Sequence, residues 1–192
     1  MKSILKIAEE EFIKQSELVP DFKSRLRIHI KEMLKWADYM VIKYPEANKE
    51  VIILGIYFHD ILDSGFQRID KEDHAILSER YANTILKDNQ YPSDKIEKVL
   101  HCVRAHRNKD VVPNTIEAKI IATIDSASHI TAGIYFDMVK MGTDPKDVIG
   151  KINRDYRDLY FFPEIQDEMK NICNSWKKLI KEYIKLNIDD IT

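Results

Sequence analysis

Six prolines, at positions 20, 45, 92, 113, 145 and 163, cut the sequence into segments in which apolar residues recur at intervals of three and four. That interval is the helix period, and proline marks boundaries because it lacks an amide proton and clashes with the preceding turn. With only 5 glycines elsewhere, the pattern predicts an all-α chain with helices near 3–17, 21–43, 46–62, 72–88, 93–108, 115–141, 145–160 and 163–186. Local start signals agree: Ser93 precedes Asp94 and Glu97, Asn114 stands three residues before Glu117, and Asp144 precedes Pro145. A chain of 192 residues can bury one substantial core. The expectation is a single compact helical bundle over 1–192, with helices 145–186 packing on the rest.

Charge narrows the partners. The 30 basic and 32 acidic residues are interleaved, giving a net charge of -2 and no basic face, which argues against a nucleic-acid partner. No apolar run approaches the roughly 20 residues needed to cross a bilayer, and Met1 opens no signal-peptide pattern, so a cytoplasmic protein without a membrane partner is expected. Cys102 and Cys173 form no C-x-x-C pair and are read as small hydrophobes inside helices.

The apolar run 51–58 ends in His59-Asp60, two residues of metal-ligand type. Ile52 and Ile56 lead to His59 by helical spacing, and Asp60 lies about 100° further round, a divergence that one cation at a helix end can bridge. His29 falls among Leu26, Ile30, Met33 and Ala37 on the inward stripe of its helix, and Asp125 follows Ala118, Ile121 and Ala122 on one face. Each alone has an ordinary packing explanation: a core histidine bonded to a carbonyl, or an aspartate paired with a buried arginine. Together, four such residues point to one divalent cation. His74, beside Leu77, Tyr81 and Ile85, and His106, beside Val99, Cys102 and Val103, pass the same facing test and could hold a second ion. His101 sits among Glu97, Lys98, Arg104 and Ala105 and reads as a solvated surface residue. His129, one turn after Asp125, could be a ligand or a hydrogen-bond partner.

The order His29, His59-Asp60, Asp125 resembles the H…HD…D signature of the HD superfamily, helical metal-dependent phosphohydrolases. The resemblance runs from about Arg25 to His129. The stretches 73–82, 103–107 and 117–125 are similar to the family's intervening helices, including the two additional histidines of members with binuclear sites. It implies one ion on His29, His59, Asp60 and Asp125, with Asp60 bridging to a second ion on His74 and His106. It also implies that Asp63, three residues after Asp60, orients or deprotonates the attacking water; an Asx cap before Ser64-Gly65 is the competing reading. One departure is Ser126, where many relatives carry a basic residue after the last metal aspartate.

Histidine and carboxylate together suit Mn, Fe, Co, Ni or Zn, and less plainly Mg. Arg25, one turn before His29, and Arg107, beside His106, are the basic side chains best placed to receive phosphate. The expected activity is hydrolysis of a phosphoester or phosphoanhydride bond in a nucleotide or similar phosphorylated metabolite. A binuclear diesterase of cyclic or dinucleoside polyphosphates, and a non-catalytic helical signalling or binding module with a structural metal, are the alternatives. The segment 153–192 matches no motif and reads as a solvated helix face or a homodimer contact.

Overall fold

The computed structural model describes residues 2–18, 20–62 and 73–185, with the side chains of 20–24 and 184 not described. Among the described residues there are helices and turns but no strand. The helices are α1 (Ile4–Ser16), α2 (Pro20–Lys43), α3 (Lys49–Phe58), α4 (His74–Asp88), α5 (Ser93–Ala105), α6 (Ile116–Thr131), α7 (Ile134–Lys140), α8 (Pro145–Asp158) and α9 (Pro163–Lys185), with a 3-10 turn at Leu159–Phe161. None is long and apolar enough to cross a membrane. The chain divides into two compact units, Met1–Asp125 and Ser126–Thr192.

In the first unit α3 is the central element. Val51, Ile52, Leu54, Gly55, Ile56 and Phe58 are all buried, so the helix is apolar around most of its circumference and packs against α1, α2 and α5. Asn48 starts it, its side chain accepting from the N–H groups of Glu50 and Val51. Gly55 permits close packing: a Cβ there would stand 3.1 Å from Cys102 Cβ and 3.2 Å from Ile121 Cδ1. The predicted stripe of α2 is buried at Leu26, Ile30, Met33 and Ala37.

In the second unit α8 packs on α7 and α9. Trp176 sets its edge against Tyr135 and donates from Nε1 to the Ile130 carbonyl at 3.0 Å.

Three readings of the sequence are corrected here. The helix expected over 115–141 is broken at Gly133, whose φ of 72° is left-handed, a backbone state that glycine adopts without cost from a side chain. Asn114 does not form a capping box with Glu117. Thr115 Oγ1 accepts from Ala118 N instead, and Glu117 Oε1 accepts from the backbone N–H of Asn48, joining the starts of α6 and α3. Ser93 is the first residue of α5 and Pro92 its cap, with no side-chain capping bond. The Asp144 cap does form, accepting from Lys146 N at 2.7 Å.

Candidate metal centre

The C-termini of α3 and α5 supply the centre. His59 and His106 are their C-cap residues, where carbonyls of the last turn lack helical partners. Both rings use this: His59 Nδ1 is 2.8 Å from the Ile56 carbonyl, and His106 Nδ1 is 2.7 Å from that of Val103. A carbonyl can only accept, so the proton sits on Nδ1 and each neutral ring presents an unprotonated Nε2 inward.

Around His59 Nε2 stand His29 Nε2 at 3.1 Å, Asp60 Oδ2 at 3.4 Å and Asp125 Oδ1 at 3.7 Å, with His29 Nε2 also 3.1 Å from Asp125 Oδ1. The other Asp60 oxygen, Oδ1, lies 3.2 Å from His74 Nε2 and 3.3 Å from His106 Nε2. Asp60 faces both groups because α3 ends at Phe58, which leaves Asp60 in a turn rather than on the helix. That turn is held over α4 by Leu62 N donating to the Ser78 hydroxyl at 3.3 Å.

These spacings fit cations. Donor atoms about 2.1 Å from an ion stand about 3.0 Å apart at right angles and about 3.4 Å apart in a tetrahedron. The short distances from Asp60 Oδ1 to two imidazole nitrogens do not make it satisfied: this oxygen is buried and, among the described residues, accepts no well-directed hydrogen bond. With His106 in its carbonyl-fixed tautomer, an imidazole lone pair faces a carboxylate lone pair. Only a proton or a cation between them stabilises that arrangement.

The electrostatics of these side chains follow the same geometry. Burial is the largest influence on His59, and its pKa is lowered to about 4 despite the nearby carboxylates. For His106 burial also opposes the charge, but the contact with Asp60 outweighs it and the pKa is raised. Burial likewise works against ionisation of Asp60, yet His59, His106 and His74 together hold its carboxyl well below the usual range.

The profile of the HD domain matches residues 26–129, just over half of the chain. The chain belongs to the HD domain family. Neither the curated proteins nor the solved structures hold a match to it. HD domains bind divalent metals and are generally metal-dependent hydrolases.

In this HD domain the other candidate residues are placed differently. Arg107 Nη1 donates to Asp73 Oδ2 at 2.6 Å, so this guanidinium already has a carboxylate partner. Arg25 is half-buried on α2, one turn before His29. Asp63, with the loop 63–71, lies outside the described residues. His101 is not solvated as expected but half-buried: its Nε2 accepts from Asn114 N at 3.1 Å, and burial lowers its pKa. His129, in the second unit, has Nδ1 3.2 Å from Lys151 Nζ and 3.5 Å from Asp155 Oδ2.

Two residues escaped the sequence reading. Asp155, in the segment expected to be solvated, is buried and accepts from the Tyr135 hydroxyl at 2.7 Å. Its position after Val148 and Ile152 on the buried stripe of α8 was the available signal. Asp73 precedes His74 and binds Arg107, and a helix cap gives no hint of a partner 34 residues away. Cys102 and Cys173 are free, buried thiols, as read from the sequence.

Proposed function

We propose that this HD domain is a divalent-metal-dependent phosphohydrolase of a small phosphorylated metabolite, with a nucleotide as the substrate class that the family resemblance favours. The observation that carries the reading is Asp60, a half-buried carboxylate whose two oxygens face separate imidazole groups. His29, His59, Asp60 and Asp125 would hold one ion, and Asp60, His74 and His106 a second. When bound, such ions acidify water and neutralise phosphate oxygens, bringing hydrolysis at phosphorus within reach near neutral pH.

The chain's own groups prepare the site for this. His59, held neutral by burial, offers its Nε2 without competition from protons at pH 7. The Ile56 and Val103 carbonyls fix the rings before any ligand arrives. Arg107 donates from Nη1 to Asp73, and a guanidinium with five N–H groups has the means to meet a phosphate oxygen as well. In the overall reaction water adds to phosphorus, the bond to the leaving oxygen breaks, and that oxygen takes a proton.

The test is release of phosphate or pyrophosphate, with Mn²⁺, from nucleoside mono-, di- and triphosphates and from cyclic and dinucleoside substrates, comparing wild type with Asp60→Ala. Wild-type turnover reduced more than about 100-fold in the variant supports the proposal. Turnover confined to diesters would move the reading to a phosphodiesterase, for which the second His/Asp group speaks. Equal background from both proteins on every compound, with Asp60→Ala unfolded, would refute catalysis and favour a module with a structural metal.

A further inference from the structure

The two histidines of the second group reach Asp60 Oδ1 from separate segments, and one carboxylate ties those segments together. Asp73 Oδ1 accepts from Ala75 N at 3.0 Å and caps α4, whose first residue is His74. Asp73 Oδ2 accepts from Arg107 Nη1 at 2.6 Å, and Arg107 directly follows His106. The pair is largely enclosed, with 26% of the Asp73 side chain and 30% of the Arg107 side chain exposed. The ring of His106 is fixed by the Val103 carbonyl, so the entry of His74 relative to it depends on where α4 starts and how that start is anchored. The N-terminus of α4 also carries positive dipole charge, unfavourable beside a cation, and a capping carboxylate offsets it.

Resting on the two-ion reading above, we propose that Asp73 is the positioning residue of the second-ion subsite, clamping the start of α4 to Arg107 and so setting the spacing of His74 and His106. It touches neither ion nor substrate. Its charged contact with Arg107, more than its cap, does this work, and asparagine separates the two roles because it caps as well as aspartate.

The experiment is calorimetric titration of the full, chelator-stripped chain with Mn²⁺, for wild type, Asp73→Asn, Arg107→Gln and the double variant, with apo melting temperatures recorded alongside. Wild type should bind two ions. Each single variant should bind the first ion as wild type does and the second about tenfold or more weakly, as expected when a residue supporting a ligand is removed. The double variant should be no weaker than either single one, because all three break one contact. Two ions on wild type, with second-ion affinity within twofold in both single variants, would overturn the role of Asp73 alone. A wild type that binds one ion or none would overturn it together with the two-ion reading.

Discussion

His59 should make the metal-free protein sensitive to mild acid in a way that one substitution removes. Its ring is fully buried, its Nδ1–H is committed to Ile56, and its pKa is lowered from 6.5 to about 4. The unfolded chain therefore takes up a proton near pH 6.5 that the folded protein refuses until near pH 4. Stability contributed by this group is present above pH 6.5 and is lost as pH falls from there towards 4, by about 1.4 kcal/mol for each pH unit. Over the 2.5 units between those values the loss is about 3 kcal/mol, and by pH 5 it is already about 2 kcal/mol. His106 acts oppositely, since its raised pKa adds stability below pH 6.5 that is lost as pH rises. It is present in wild type and in His59→Asn, so subtraction removes the part of it that does not depend on the neighbouring His59 ring, and the asparagine amide can still donate to Ile56. Urea unfolding of both proteins in EDTA at pH 7, 6, 5 and 4.5 measures the difference, provided the denaturant slopes agree. Parallel stability–pH curves would refute the reasoning, because they would mean that His59 titrates as an ordinary exposed imidazole.

Further outcomes follow from packing and burial. Gly55→Val forces a side chain into space already occupied by Cys102 and Ile121, and should cost about 1–3 kcal/mol, lowering the melting temperature by about 2–4 °C per kcal/mol; an unchanged melt would contradict the close approach of these helices. Tyr135→Phe leaves the buried Asp155 carboxylate without its 2.7 Å donor, and should lower unfolding stability by about 1–3 kcal/mol in denaturant titration, an effect absent if the bond is dispensable. Burial pushes the Cys102 thiol up strongly and the Cys173 thiol up to about 11, so neither should react with a disulfide reagent at pH 8 until urea is added. Rapid labelling of the native protein would count against their burial.

Helix periodicity carried most of the fold because the signal is repeated along each element. Leu26, Ile30, Met33 and Ala37 mark one face of α2 four times over, and His29 could be placed inward by its neighbours alone. The break at Gly133 was not legible in the same way, since the apolar pattern continues through it and a glycine within a helix is tolerated often enough to be passed over. Glu117 shows the other limit. Its spacing from Asn114 matched a local capping pattern, whereas its partner is a backbone amide 69 residues away. Local rules fail where a tertiary contact satisfies the same group.

Six of the side chains singled out in the sequence, His29, His59, Asp60, His74, His106 and Asp125, do lie together, but what would suit that cluster to a cation lies in where the helices stop. Helical spacing along the sequence placed His59 and His106 on buried faces without showing that each is the last step of a helix. That placement does two things at once. The unpaired carbonyls of the final turns fix the ring tautomers through Ile56 and Val103, and two helix C-termini bring their partial negative charge to the same cluster, where it favours positive charge. Moved one turn earlier, either histidine would find its i−3 carbonyl already bonded in the helix. It would keep its buried face and lose both the fixed proton and the helix-end field. The helix stops therefore belong to the candidate site as much as its imidazole and carboxylate side chains do, and the His-Asp dipeptide of this chain stands where α3 ends rather than within it.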